Sequence, residues 1–315
     1  MIDHFVLTFK SVYDKQTHFN RGTYYNHAHQ FLETRALVMY GAGFMKIAIS
    51  GKGGVGKTLL VAFLSHTFAS SGYSVIAIDA DPDANLAATL GYPHPEKMIP
   101  ISELNDLIEE RVGVRPGAAG SFFKLNPRVD DLPEKYSVKI DGIRIMSMGR
   151  IKRGGTGCYC AEGALLQALV SHLLLQRDEV VILDMEAGIE HLSRGTVKAV
   201  DKLIIVVEPS RRSLETAQTI KQLAQDLGLH NIVVVGNKIR NEADKEFIQS
   251  NLPGLEILDF ISYDPAINDA DYANLSLFTA SPQTVKEVEN IYHKLMSTGR
   301  PTDVKAASDT KKAKK

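Results

Sequence analysis

Cysteine is nearly absent, with two in 315 residues. So few thiols in so long a chain make no disulfide framework, and they point to a reducing, cytoplasmic setting. Neither sign of charge is in excess: 36 Lys and Arg face 37 Asp and Glu, a formal net charge of −1. No global field therefore selects nucleic acid or an anionic membrane surface. Long hydrophobic runs are missing too, since none approaches the roughly 18 residues of a membrane span. The first residues lack the basic, apolar and small-residue succession of a signal peptide. What is present is ordinary for a globular protein, 44% apolar and 23% charged. The length suits one large domain or two small ones.

Residues 1–44 differ from the rest of the chain. They hold four of the ten histidines and nine of the 23 aromatics (12 Phe, 11 Tyr), with no clean period. They are expected to be a disordered leader or a start-site artefact, because Met45 opens "MKIAIS", which reads as a buried strand. His27 and His29 lack the further partners a metal site needs. Residues 299–315, ending "KAASDTKKAKK", read as a basic disordered tail rather than a nucleic-acid arm.

Between these ends, residues 45–298 repeat one pattern: short apolar run, turn, helical stretch. Strands are predicted at 46–50, 74–80, 143–147, 179–184, 202–208, 231–236 and 256–261. Their Ile and Val content suits strands covered on both faces. Helices are predicted over 57–70, 161–176, 211–227, 240–250 and 282–296. The alternation implies an α/β fold, with a mostly parallel sheet of about seven or eight strands and helices on both sides. Residues 84–140 break the rhythm and read as a helical and loop insertion.

"GKGGVGKT", Gly51 to Thr58, follows the first strand and opens a helix. It fits G-x-x-x-x-G-K-[ST] in the context that pattern requires. Gly51, Gly53, Gly54 and Gly56 allow torsions other residues resist, so that successive N–H groups, with that of Val55, face phosphates. The helix N-terminus adds a positive dipole end. Lys57 can reach the β- and γ-phosphates, and Thr58 can offer its hydroxyl to Mg²⁺. A P-loop NTPase is the expectation.

"KGGVGKT" resembles the deviant Walker A loop of the MinD/ParA/nitrogenase-iron-protein class of ATPases. The resemblance implies a homodimer in which Lys52 reaches the partner's nucleotide. Leu59 departs from the second threonine frequent in that class. In "DADPD", the resemblance assigns Asp81 to the attacking water, while Asp83 and Asn85 orient the turn. "VVILDMEAG" is Walker B-like: Asp184 is expected to hold Mg²⁺ through water, and Gly188 to let the loop approach the γ-phosphate. In "VVVGNKIRN", the resemblance assigns Asn237 to reading the adenine edge. No N-K-x-D guanine pattern occurs, so ATP is favoured over GTP.

"GGTGCYC" holds both cysteines, Cys158 and Cys160, just before a helix whose N-terminus favours thiolate. A disulfide one residue apart would be strained, which leaves soft-metal ligation or redox chemistry. Two thiols do not complete a four-coordinate site, but a twofold dimer can supply the other pair. Four thiolates suit Zn²⁺, or Ni²⁺ in a flatter geometry. Taken together, the loop, "DADPD", "MGRIKRGGTGCYC" and "DMEAGIEHLSRGT" resemble the CooC-type accessory ATPases over about residues 45–296. That resemblance implies a Mg²⁺-dependent ATPase, dimeric with ATP and metal. It would act as a metallochaperone inserting nickel into carbon monoxide dehydrogenase or a related client. The alternatives are a positioning ATPase of the MinD/ParA type acting at membrane or DNA, and an iron–sulfur electron-transfer ATPase. "TVKEVENIYHKLMST" is amphipathic but poor in large apolar residues, and is expected to pack on the sheet rather than anchor to lipid.

Overall fold

The computed structural model describes residues 45–81, 83–116, 123–149, 161–177, 179–189, 192–273 and 275–297. Residues 1–44, read as a leader or artefact, residues 299–315, read as a tail, and both cysteines fall outside the described residues.

Strand β1 (Lys46–Gly51) is buried along its whole length and leads through the glycine loop into helix α1 (Lys57–Ser70). Strand β2 (Val75–Asp79) follows. The insertion then supplies three short helices, α2 (Leu86–Thr89), α3 (Asn105–Val112) and α4 (Leu132–Tyr136). Two strands close it, β3 (Val138–Ile140) and β4 (Ile143–Ser147). Next come α5 (Ala161–Gln176), β5 (Val180–Asp184), β6 (Lys202–Val207) and α6 (Arg211–Leu227). The remainder is β7 (Ile232–Ile239), α7 (Glu242–Asn251), β8 (Glu256–Ser262), α8 (Pro265–Ala273), α9 (Leu277–Ala280) and α10 (Pro282–Ser297).

The eight strands form one sheet in the order β3-β4-β2-β5-β1-β6-β7-β8. All pairings are parallel except β3 with β4. The expected α/β architecture is therefore present, with β3 as an antiparallel edge strand inside the segment read as insertion. β7 runs on to Ile239, so Asn237 and Lys238 belong to the strand itself.

Side chains alternate across a strand, and here both faces are covered. One face, with Ala48, Ile76, Ile78, Val181, Leu183, Leu203 and Ile205, joins a core built with α3, α5, α6 and α7. The other meets α1 and α10. There Phe68 stacks edge-on against Tyr292 at 5.0 Å, and Phe63 against Phe278 at 5.2 Å. Helix α1 is apolar nearly all round because it lies between the sheet and α10. Helix α10 spends its apolar stripe, Val288, Ile291, Tyr292 and Leu295, in contact with α1 and β8. That settles the amphipathic segment as sheet packing, as expected. No helix among the described residues is long and apolar enough to cross a membrane.

The strand order places the site. The chain leaves β1 for β2 on one side, and β6 flanks β1 on the other, so β1 sits where the winding reverses. Ligands of open parallel sheets bind beyond the strand C-termini at such a point.

Candidate nucleotide site

Three carboxyl-terminal strand ends meet there. Asp184 on β5 is in register with Ile49 of β1 and with Asp79 of β2. The glycine loop rises from β1 directly beside them. Gly51 lies against β6, where a Cβ would run into the Val206 carbonyl. Gly56 has φ of 95° and is the N-cap of α1. No side chain caps that helix, and its first turn holds no acid. The free N–H groups of the first turn are thus left for an anion. A Cβ on Gly56 would fall on the amide nitrogen of Asn237. We expect Gly56→Ala to break the Asn237 contact with the loop and to weaken nucleotide binding about tenfold or more, at roughly 1–3 kcal/mol of stability. Calorimetric titration and urea unfolding would read the two effects.

Lys57 is the first residue of α1 and is only 6% exposed; its Nζ stands 3.9 Å from Asp81 Oδ2. Asp81 belongs to a turn that Asp79 holds. Asp79 Oδ1 accepts from the Asp81 N–H at 3.2 Å, and Oδ2 accepts from the Leu86 N–H at 2.9 Å. Asp81 Oδ1 in turn accepts from the Asp83 N–H at 3.0 Å, and Asn85 Nδ2 donates to the Asp83 carbonyl at 2.7 Å. Burial raises the Asp79 carboxyl to about 6, against the pull of those backbone donors.

Asp184 is fully buried, and neither carboxylate oxygen has a hydrogen-bond partner of good geometry. Burial pushes its pKa up to about 7; the nearby Thr58 hydroxyl and Lys57 oppose the rise, while Asp79 and Asp81 add to it. A buried carboxylate with two unused oxygens beside a threonine hydroxyl fits a hard cation, whose other ligands would be water and phosphate oxygens. Among the described residues, no three His, Cys, Asp or Glu side chains converge as a metal cluster. Cys158 and Cys160 lie outside those residues.

Asn237 is buried, and each end of its amide is engaged. Nδ2 donates to the Val55 carbonyl at 2.8 Å, and Oδ1 accepts from the Lys238 N–H at 2.8 Å. Each atom keeps one further hydrogen-bond place. Lys52 is half-buried, while Gly53 and Gly54 are exposed.

Three contributors have roles that the sequence does not assign to them. Asp79 organises the turn that presents Asp81. Ser50 Oγ sits 2.8 Å from the Glu186 carbonyl and 2.7 Å from that of Gly188, tying β1 to the loop after β5. Lys238 Nζ donates to the Gly54 carbonyl at 2.6 Å. Asp79 opens "DADPD" and is read from sequence as a strand-end carboxylate beside the loop, though not as the holder of the turn; the other two contacts join residues far apart in the chain.

A phosphate loop between β1 and an uncapped helix, with an orphaned buried carboxylate on the neighbouring strand, defines a P-loop NTPase. Residues 46–277 match the model of the CobQ/CobB/MinD/ParA nucleotide-binding domain, CbiA. The chain belongs to that family, and it is an ATPase. It is 46% identical over 252 residues to an uncharacterized ATP-binding protein of Methanocaldococcus jannaschii, covering 79% of this chain and 96% of that one. It is 44% identical over 260 residues to the carbon monoxide dehydrogenase accessory protein CooC of Rhodospirillum rubrum, covering 82% and 98%. The CooC-type resemblance within the MinD/ParA class thus holds at the level of the whole domain. Among solved structures, the MinD cell division protein of Aquifex aeolicus superposes with a TM-score of 0.58 at 23% identity, covering 82% of this chain and 99% of that one. A ParA family ATPase from Chlorobium tepidum gives 0.56 at 16%, covering 80% and 98%. These two likenesses speak to the fold.

Proposed function

We propose that this ATPase is an accessory protein that handles nickel for carbon monoxide dehydrogenase or a related metalloenzyme, working as a homodimer that ATP and metal both favour. The observation that carries the reading is the 44% identity, over 82% of the chain, to a carbon monoxide dehydrogenase accessory protein. The C-x-C pair supports it, because one chain offers two thiols and a twofold dimer offers four. Cys158 and Cys160 from both copies would hold Zn²⁺ or Ni²⁺ at the interface.

The nucleotide chemistry follows from the site. The loop amides and Lys57 bind the phosphates of ATP. Thr58 and Asp184 would hold Mg²⁺, which offsets phosphate charge. Asp81 sits beside Lys57 on a turn braced by Asp79, and would orient a water toward the γ-phosphate. Lys52 on the loop would reach the partner's phosphates and stabilise charge there as an arginine finger does. Asn237 would offer its remaining donor and acceptor to adenine. Both ligands then bias one two-state dimer, so metal tightens nucleotide binding as much as nucleotide tightens metal binding.

The test is anaerobic purification followed by metal analysis and sizing with Mg²⁺ and a non-hydrolysable ATP analogue. The expected result is one metal ion per two chains and a dimer. Replacing both Cys158 and Cys160 by serine should remove the metal and leave ATP affinity of the single chain unchanged. Unaltered metal content in that variant would overturn the thiolate assignment. A brown protein would favour the iron–sulfur reading. ATP-dependent pelleting with liposomes or DNA would favour a positioning ATPase; the buried apolar stripe of α10 argues only against that helix as a membrane anchor.

A further inference from the structure

Lys238 touches the phosphate loop, and the nucleotide chemistry proposed above gives it no part. β7 carries Asn237 and Lys238 in succession, and consecutive side chains of a strand point to opposite faces. Only one of the two should therefore reach the phosphate loop, yet both do. Asn237 Nδ2 donates to the Val55 carbonyl at 2.8 Å; Lys238 Nζ donates to the Gly54 carbonyl at 2.6 Å. The cause lies in the backbone. Lys238 has φ of 60°, in the left-handed region that a residue with a Cβ occupies at a cost. The β7–β8 ladder is irregular between Gly236 and Ile239, at the same place. The Lys238 N–H is held by Asn237 Oδ1, which braces the kink. Strain of this kind persists where surrounding contacts fix it, and it gathers at functional sites.

We propose that Lys238 is a positioning residue that, with Asn237, latches two successive carbonyls of the phosphate loop and so aims the loop's amides at the phosphates. In a trans peptide the C=O of one residue and the N–H of the next point opposite ways. Holding the Gly54 carbonyl toward β7 turns the Val55 N–H away from β7. Holding the Val55 carbonyl does the same for the Gly56 N–H. The Val55 N–H makes a 3.4 Å bond to the Lys52 carbonyl, long enough to yield to a charged acceptor. Glu208, just past β6, completes the latch: its Oε2 lies 3.3 Å from Lys238 Nζ. Glu208 is fixed in turn by its own N–H, which donates to Ser213 Oγ at 3.1 Å in the first turn of α6. The latch therefore joins β6, β7 and the loop after β1.

This inference rests on the reading of residues 51–58 as a phosphate site, and the experiment separates the two. Affinities for ATP, ADP and inorganic tripolyphosphate are measured by calorimetry on the full chain and on Lys238→Met. Tripolyphosphate has phosphates and no base or sugar. The expected result is an equal loss for all three ligands, about tenfold, with unchanged binding stoichiometry. Partial recovery is expected in Lys238→Arg, and a smaller loss of the same pattern in Glu208→Gln. A defect of folding alone would lower the stoichiometry and leave the affinity of the folded fraction intact, which would overturn the latch. A loss for ATP with tripolyphosphate unaffected would place Lys238 on the base or ribose and overturn it too, as would no loss at all. Should Lys238→Met fail to fold, the same equal-loss criterion applies to Glu208→Gln. A wild-type chain that binds neither ATP nor tripolyphosphate would overturn the phosphate-site reading itself.

Discussion

Lys57→Met should remove ATP hydrolysis to below about one part in a hundred of wild type and raise the dissociation constant for ATP, while leaving the fold intact. The side chain is all but buried at the first position of α1, and in the proposed site its ammonium would face the γ-phosphate, where charge builds up. A donor so held, in a site shielded from water, is worth about 3–4 kcal/mol to the transition state, or roughly 10²–10³ in rate. Methionine keeps the length and apolar stem, so the helix start loses no packing. Its neutral end also spares the cost of a buried ammonium whose charged neighbour is 3.9 Å away. The apparent melting temperature without nucleotide should therefore not fall. Phosphate release under saturating ATP, read beside a thermal melt, checks both halves. Activity within tenfold of wild type would remove Lys57 from its role.

That experiment probes the most legible part of the molecule. β1, the loop and α1 could be read in the sequence because a fully apolar strand, glycines at fixed spacing and a Lys-Thr pair coincide within a short stretch. The predicted bounds of α1, α5 and α6 match the observed ones, since α1 begins at the glycine loop, α6 begins at the Ser210 cap, and all three stop with their apolar pattern. β3 escaped notice because its three residues are at most half-buried and owe their conformation to antiparallel pairing with β4. Helices α8 and α9 are short and lean on neighbours rather than on a periodic stripe of their own. The site divides the same way. Lys57 and Thr58 are local features of a helix start, and Asp81 and Asp184 of strand ends. Ser50 with Gly188 and Lys238 with Gly54 are contacts 138 and 184 residues apart, and no local pattern announces a left-handed lysine. The thiolate pair rests on sequence, since it lies outside the described residues.

Asp184→Asn should separate stability from activity, and the separation should depend on pH. In the unfolded chain this carboxyl titrates near 3.8; in the fold, burial raises it to about 7. Between those values the folded state keeps a proton that the unfolded state has given up. Stability from this group is therefore greatest near pH 4, declines as pH rises, and levels off above about 7. Asp79, raised by burial to about 6, adds a decline of the same sign over a narrower range. For Asp184 the whole decline amounts to about 4 kcal/mol. Asparagine has nearly the same shape and no charge to bury. At pH 8, without Mg²⁺ or nucleotide, the variant should unfold at higher urea than wild type, and this advantage should shrink toward pH 5. With Mg²⁺ and ATP the order should reverse, because the cation needs the carboxylate that burial makes costly. Wild-type affinity for Mg²⁺–ATP should rise with pH through about 7, and that of the variant should stay flat, with hydrolysis down about 10²-fold or more. Urea titrations at pH 5 and 8, with EDTA and with Mg²⁺–ATP, read both effects. A variant with no pH-dependent gain in EDTA, or with a wild-type response to Mg²⁺, would show that the two unpartnered oxygens of Asp184 serve neither the charge nor the cation. The expected result would instead identify this carboxylate as a group kept against stability for the sake of the ion it receives.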